Sequence, residues 1–253
     1  MKKKFVTKFL LLFILGGLTS LSLPPYNLFI INFFTFSIFF GFLFKNLNKK
    51  IQKKIFFFYG WFFGFGYFFT NLYWITISLS FDKNFDFLIP FALIFIPSFL
   101  ALFYGSITLL FHLFNPKNIL SAFFSFSVFF GIVEFIRGVI LTGFPWNLII
   151  YSFSNNLNFL SILSVIGTYS LNLILISLFT APAIYILRKS KKEIGVCIFL
   201  LLLPIIFFVH GNFHKEKFKS KKLEKIPYTV RIIGSNISLD RFYSNIQTEE
   251  VIS

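Results

Sequence analysis

Cysteine, histidine and acidic residues are scarce in this chain of 253 residues. It contains one Cys, three His and nine Asp or Glu residues. A single thiol, Cys197, cannot form an intramolecular disulfide, and His112, His210 and His214 have no zinc-motif context. The sequence therefore excludes a disulfide-stabilised scaffold, and we expect no metal site and no cofactor.

Charged residues of both signs are also few. They make up 13% of the chain, whereas hydrophobic residues make up 57%. Soluble domains have roughly 25% charged and roughly 45 to 50% apolar residues. The mean hydropathy of +0.80 points in the same direction. This composition excludes an ordinary soluble fold and predicts a membrane protein.

The apolar residues occur in runs that are long enough to cross a bilayer, for which a helix needs about 20 residues. We place these runs near residues 5–23, 28–44, 55–77, 85–114, 119–141, 157–187 and 194–210. The predicted fold class is a polytopic α-helical membrane protein with seven transmembrane helices. The first run also fits a cleaved signal peptide. However, Pro24 and Pro25 crowd the cleavage site, and this favours an uncleaved helix.

The net charge of +15 is explained by the positions of the basic residues between the apolar runs. The positive-inside rule places loops rich in Lys and Arg in the cytoplasm. Alternate loops carry Lys2, Lys3, Lys4 and Lys8, then Lys45, Lys49, Lys50, Lys53 and Lys54, then Lys117, then Arg188, Lys189, Lys191 and Lys192. The short loops on the other side carry Lys83 and Arg137. The pattern predicts a cytoplasmic N-terminus and a lipid bilayer as partner, and we expect no nucleic-acid partner.

The character of the sequence changes after His210. We predict a transmembrane bundle over 1–210, a polar linker outside the cytoplasm over 211–227, and the start of a soluble domain over 228–253. In that last segment, Val230, Ile232 and Ile233 indicate a strand, and the residues after it form a weak helical pattern. Fewer than about 30 residues cannot build a stable core. We therefore expect the chain to be the N-terminal part of a longer protein.

Glu134 and Arg137 are the ionisable residues within an apolar run that deserve a functional interpretation. They lie three residues apart, so on a helix they share a face and can pair. A charge at membrane depth usually faces a cavity or the bundle interior. The alternative is that both side chains lie near the interface and extend towards water.

The stretch "TGFPW" follows this pair. Thr142 and Gly143 can end the helix, Pro145 fixes the backbone, and Phe144 and Trp146 can anchor it at the interface. One interpretation is an aromatic belt. The other is a re-entrant wall beside a cleft for lipid, because irregular backbone at this depth needs protein or water around it.

Gly60 and Gly64 form a pattern of small residues that lets two helices approach closely. We interpret them as packing residues. Cys197 lies among apolar residues of the last run, and we interpret it as structural rather than nucleophilic.

These stretches together resemble the apolipoprotein N-acyltransferase family. The resemblance is carried by "LSLPPYNLF", "GWFFGFGYFFTNLYWITISL", "EFIRGVILTGFPWNLIIYS", "IGTYSLNLIL" and "VRIIGSNIS". "E..R...TGFPW" is the most specific of them. At Gly234 and Ser235 the chain departs from the Gln and Gly that are common in the family.

The resemblance implies a bundle in the bacterial inner membrane that carries a periplasmic nitrilase-like α/β domain, here truncated after its first strand and helix. It implies that the enzyme takes an acyl chain from a phospholipid donor as a Cys thioester and transfers it to a diacylglyceryl-apolipoprotein acceptor. The family's Glu, Lys and Cys triad is expected beyond Ser253, so no catalytic residue is assigned in this chain. Residues Glu134 to Tyr151 are implied to form the wall that substrates pass, which makes the candidate substrate-binding residues Glu134, Arg137, Thr142, Gly143, Phe144, Pro145, Trp146 and Tyr151.

Two other classes of protein remain open from the residues alone. A transporter or permease would have internal repeats and polar residues at the midplane. A membrane anchor for another periplasmic domain would need no chemistry within the bundle.

Overall fold

The computed structural model describes residues 2–47, 49, 51–140, 143–221, 228, 229, 231 and 234, with side chains from residue 6 onward. Nine α-helices occur in these ranges: α1 Lys2–Ser20, α2 Ile31–Leu47, α3 Lys53–Asn71, α4 Ile89–Phe114, α5 Ile119–Val139, α6 Leu157–Leu160, α7 Leu163–Ile166, α8 Thr168–Leu187 and α9 Lys191–Lys219. Three 3₁₀ segments accompany them, Tyr73–Phe81, Lys83–Leu88 and Ile149–Phe153. Thr142 and the predicted strand residues Val230, Ile232 and Ile233 lie outside the described residues.

Four helical stretches in the described ranges are long and apolar enough to cross a bilayer: Lys83–Phe114, Ile119–Val139, Thr168–Leu187 and Lys191–Lys219. The pair Lys53–Asn71 and Tyr73–Phe81 passes the same test as one bent unit. The apolar helices Val6–Ser20 and Ile31–Leu47 are shorter. The chain is thus a helical membrane protein whose described residues contain four or five helices of spanning length, and the count of seven remains a prediction.

The helix predicted near 55–77 is interrupted, because α3 ends at Asn71 and the next segment bends away by 48°. Beyond the bend the chain forms a 3₁₀ segment with no buried residue. Its hydroxyl side chains donate to backbone carbonyls three residues earlier, as Thr76 does to Tyr73 at 2.7 Å and Ser78 to Ile75 at 2.6 Å. Such local hydrogen bonds compete with regular helix formation.

The predicted run at 157–187 is also interrupted. Short helices α6 and α7 precede Gly167, whose φ of 77° and ψ of 166° are not helical. That region of backbone space is essentially restricted to glycine. The spanning helix α8 therefore begins only at Thr168.

The last helix continues past His210, where we expected a linker to begin, and ends at Lys219. Packing against α6 accompanies this extension. Asn158 donates a hydrogen bond of 2.6 Å to the side chain of Asn212, and a Cβ at Gly211 would meet the Asn158 carbonyl oxygen at 1.7 Å. Residues 211–219 are thus helical and extend the bundle.

Close contact between α3 and α4 forms one part of the core, as the spacing of Gly60 and Gly64 predicted. A Cβ at Gly60 would lie 2.1 Å from the Tyr104 carbonyl oxygen, and one at Gly64 would lie 2.7 Å from the Tyr104 side chain. Phenylalanine rings fill the space towards α2, where Phe39 stacks on Phe63 at 4.1 Å between centroids. This packing fixes α3 and α4 beside the candidate site.

Clusters of Lys and Arg flank several helices at one end of the bundle, and Lys217 and Lys219 lie in the last turn of α9 towards the other end. One end, which we call the site end, contains the last turns of α1, α3 and α5 and the first turns of α2 and α8. There Thr70 of α3 donates to Ser20 of α1 at 2.8 Å. The opposite end, which we call the basic end, carries Lys45, Lys53, Lys117 and Arg188.

Candidate functional site

Glu134 and Arg137 lie in the last turns of α5 and are almost completely buried, with 2% and 1% of their surfaces exposed. The Nε of Arg137 donates to Glu134 Oε2 at 3.1 Å, and its Nη2 donates to the same oxygen. The pair expected from the spacing of these residues is therefore formed inside the protein. The alternative, in which both side chains extend towards water, is wrong because neither is exposed.

The remaining guanidinium nitrogen of Arg137 reaches the segment that follows α5. Nη1 donates to the carbonyl of Phe144 at 2.7 Å and to that of Trp146 at 2.9 Å. Between them stands Pro145, which has no N–H to satisfy. Arg137 thus supplies donors to backbone carbonyls that would otherwise lack partners in a region poor in water.

Gly143 allows the chain to turn back towards this arginine. Its φ is 81°, and a Cβ there would lie 2.3 Å from the Gly138 carbonyl oxygen. The backbone N–H of Phe144 then donates to Arg137 O at 3.0 Å. A residue with a side chain would be strained at position 143 and would clash with the last turn of α5.

Asn147 lies at the end of the irregular segment that follows α5 and connects this segment to α3. It has a left-handed φ of 58°, which Asn tolerates better than most residues. Its carbonyl accepts a hydrogen bond of 2.7 Å from the Tyr67 hydroxyl, and its side-chain amide pairs with that of Asn71. We did not predict Tyr67, Asn71 or Asn147 as site residues. The available signal was their polar groups within or beside apolar runs.

Tyr151 contributes from the 3₁₀ segment Ile149–Phe153, where its hydroxyl donates to the Pro145 carbonyl at 3.1 Å. The carbonyls of residues 144 to 147 are therefore all engaged by side chains from α3, α5 and this segment. Of the predicted site residues, the structure brings together Glu134, Arg137, Gly143, Phe144, Pro145, Trp146 and Tyr151.

Aromatic rings surround the arginine. Its Cζ lies 5.4 Å from the centroid of Phe68 and 5.9 Å from that of Phe144, distances at which a cation is attracted to a ring face. Trp146 is 49% exposed and stacks on Trp74, with centroids 5.1 Å apart. This indole pair links the segment to the bent end of α3.

An apolar cavity of about 220 Å³ lies beside the segment. Arg137, Ile140, Gly143 and Phe144 form one side of it, and α4 forms the other with Phe95, Ile96, Phe99, Leu100 and Phe103. A second, shallower apolar depression of about 500 Å³ also includes Phe144, together with Trp74, Ile77 and Trp146. Phe144 therefore lines two apolar spaces.

The chemistry available in the described part of this region is binding and positioning. Glu134 is engaged with Arg137, and Arg137 is also engaged with the backbone. Cys197 is distant from them, near the start of α9 at the basic end, where its Sγ contacts the Ala181 carbonyl at 3.4 Å. Among the described residues there is also no group of three or more His, Cys, Asp or Glu side chains that could hold a metal.

Together the fold and site define a polytopic helical membrane protein in which a buried ion pair holds an irregular aromatic segment beside an apolar cavity. The family model for the apolipoprotein N-acyltransferase N-terminal domain matches residues 15–181, which include this whole site. The chain belongs to the apolipoprotein N-acyltransferase family.

Individual relatives agree with this assignment. The chain is 36% identical over 197 residues to an apolipoprotein N-acyltransferase of Rickettsia typhi, covering 77% of the chain and 38% of the relative. It is 30% identical over 228 residues to one of Allorhizobium ampelinum, covering 88% and 42%. It is 28% identical over 250 residues to one of Brucella melitensis, covering 94% and 46%. The chain thus spans less than half the length of each of these relatives.

Proposed function

We propose that this region serves the acylation of apolipoproteins at a bacterial inner membrane. The reaction moves an acyl chain from a phospholipid to the α-amino group of an N-terminal diacylglyceryl-cysteine. An ester bond of the donor breaks, an amide bond forms, and a lysophospholipid leaves. Membership of the family supports this activity, and the phospholipid, the lipoprotein and the bilayer are the partners that it requires.

The observation that carries the proposal is the buried Arg137, which binds the carbonyls of Phe144 and Trp146 beside an apolar cavity. This arrangement supports a substrate-binding role for the wall that begins at Glu134 and ends at Tyr151. The cavity of about 220 Å³ is smaller than the roughly 300 to 1,000 Å³ of sites for drug-sized ligands. It suits part of one hydrocarbon chain, with the rest of the lipid in the bilayer.

The role of Arg137 in this proposal is to hold the wall in one shape. A substrate binds with higher affinity when the contact surface is already ordered before the ligand arrives. The described residues hold one thiol, Cys197, at the basic end, and we assign no catalytic role to any residue in them. We propose that a nitrilase-like domain follows α9 and brings the reacting groups to the site end.

We further propose that the site end faces the periplasm and that seven helices cross the membrane. The clusters of Lys and Arg at the basic end support this orientation. Reporter fusions at Asn118 and Ser190 should report cytoplasm, and fusions at Asn84, Asn155 and Lys221 should report periplasm. A cytoplasmic result at Lys221 would contradict the proposed function, since the soluble domain would then face the wrong compartment.

An acyl-transfer assay tests the activity itself. Membranes containing the protein expressed from its complete gene should add a third chain to a diacylglyceryl lipopeptide. Arg137→Leu and Trp146→Ala should each lower the rate at least about tenfold, which corresponds to roughly 1.4 kcal/mol of transition-state stabilisation. Phe114→Ala, which changes an exposed aromatic residue at the basic end, is the control and should leave the rate unchanged. The absence of transfer by the unaltered protein, or equal rates in all variants at equal protein level, would overturn the proposal.

A further inference from the structure

A groove opens between α2 and α8 near the basic end. The Glu134–Arg137 pair lies at the other end of the bundle. The volume of the groove is about 360 Å³, and residues of both helices line it, among them Ser37, Gly41, Lys45, Ala183, Ile186 and Leu187. The Ser37 hydroxyl donates to the Phe179 carbonyl at 3.1 Å, so it is already used within the protein. In the described part of the chain, Lys45 is the one charged residue that lines the groove.

Gly41 lines this groove without placing a side chain in it. A Cβ at this position would meet nothing nearer than Leu187 Cδ1 at 4.0 Å. Gly60 and Gly64 differ, because a Cβ on either would collide with α4. A glycine inside a helix costs about 0.5 to 1 kcal/mol relative to alanine. No close contact within the protein requires glycine at position 41. A ligand that packs against the helix backbone would require it.

The charge at the mouth of the groove is positive. Lys45 stands in the last turn of α2 and is exposed, whereas Arg188, which follows the lining residue Leu187, lies over the Tyr185 ring and donates to the Tyr185 carbonyl. Glu193, in the first turn of α9, accepts hydrogen bonds from Ser190 at the start of that helix. An apolar trough with a cation at its end matches a lipid that has an anionic headgroup, and basic pockets between transmembrane helices bind such lipids.

We propose that this groove binds one anionic phospholipid of the leaflet that meets the basic end. An acyl chain lies against Gly41 and Ile186, and the phosphate lies beside Lys45. This lipid is distinct from the acyl donor of the proposed function, because the site of that donor lies at the opposite end of the bundle. The inference does not depend on acyl transfer, and the assay below contains no acyl acceptor.

Native mass spectrometry of the delipidated full-length protein tests the proposal by titration with phosphatidylglycerol and, separately, with phosphatidylethanolamine. The first phosphatidylglycerol should bind more tightly than the first phosphatidylethanolamine. Lys45→Gln should weaken phosphatidylglycerol binding about fivefold, as expected for one basic residue near a lipid headgroup, and should weaken phosphatidylethanolamine binding less, because the ammonium group of that lipid already offsets the phosphate charge. Lys117→Gln removes the same charge from the α4–α5 loop at the basic end, and it should change neither affinity.

Filling the groove should weaken binding of both lipids. Gly41→Leu introduces a side chain into the groove from a position where a Cβ fits, and Ile186→Phe does the same from α8 if the first variant does not fold. Equal effects of Lys45→Gln and Lys117→Gln would overturn the proposal, as would unaltered binding in the folded groove-filling variant. Displacement of the lipid by millimolar glycerol 3-phosphate would also overturn it, because the site would then be one for a free phosphate.

Discussion

Arg137 donates a hydrogen bond of 2.9 Å to the carbonyl of Trp146 across an irregular turn of the chain. The same guanidinium holds Glu134 and the carbonyl of Phe144. One side chain therefore determines the positions of both an acidic residue and an aromatic segment. The ion pair and the wall are a single structural unit, so a substitution in either should alter the conformation of the other.

The first prediction separates the charge of this unit from its shape. Arg137→Leu leaves Glu134 buried without its partner, which typically costs about 3 to 5 kcal/mol, so protein stability as well as activity should fall. Replacing both residues, as Glu134→Leu with Arg137→Met, removes the unpaired charge and should restore most of the stability, since apolar substitutes for buried pairs are often neutral. Activity should stay low, because the carbonyls of Phe144 and Trp146 still lack a donor.

Thermal midpoints in detergent and acyl-transfer rates per molecule of protein would measure the two effects. Recovery of both stability and activity in the double variant would contradict a positioning role for Arg137. The pair would then be a removable structural element.

A second prediction concerns the stacked indoles. Trp74 and Trp146 lie 5.1 Å apart with their planes 16° from parallel. Pairs of this kind contribute about 0.5 to 1.5 kcal/mol beyond their buried area. Trp74→Ala and Trp146→Ala should therefore be non-additive by that amount in a double-mutant cycle of acyl-transfer rates. Additive losses would mean that each indole acts as a separate interface anchor.

The sequence identified the ion pair because Glu134 and Arg137 are neighbours on one helix, and this local geometry follows from spacing alone. It did not identify Tyr67 or Asn71, because their partner, Asn147, is far away along the chain. Contacts of that kind depend on how the end of α3 lies against the segment that follows α5, and no periodicity within one stretch of sequence records such packing. The sequence shows that these polar side chains lie in apolar runs, but it does not show which residues they contact.

The sequence predicted the positions of the helices better than their ends. Hydrophobic runs predicted where most spanning helices lie, because burial in lipid depends on composition over about 20 residues. The bend after Asn71 and the break at Gly167 depend on backbone dihedrals and hydroxyl hydrogen bonds at single positions. The extension of α9 depends on its contact with α6, which composition does not reveal.

A third prediction uses three glycines to test the turn before the wall. Gly143→Ala should lower the thermal midpoint most, because it combines a φ of 81° with a Cβ 2.3 Å from a carbonyl oxygen. Gly167→Ala has the unfavourable φ but no close atom, and such backbone strain costs about 1 to 3 kcal/mol. Gly195→Ala meets nothing within 4 Å inside α9 and should leave the midpoint unchanged or raise it slightly. A Gly143→Ala variant as stable and as active as the Gly195→Ala variant would contradict the described turn.

The proposed function requires lipid-linked substrate to lie against the wall formed by Glu134 to Tyr151 and α4. Site-specific photocrosslinking measures this directly. Phe99→p-benzoylphenylalanine places the reactive group in the cavity, and Phe114→p-benzoylphenylalanine places it on the same helix at the basic end. A labelled diacylglyceryl lipopeptide at low mole fraction in the membrane should crosslink several-fold more at position 99 than at position 114, and Arg137→Leu should remove the difference. Equal yields at the two positions in the protein with an intact Arg137 would contradict the claim.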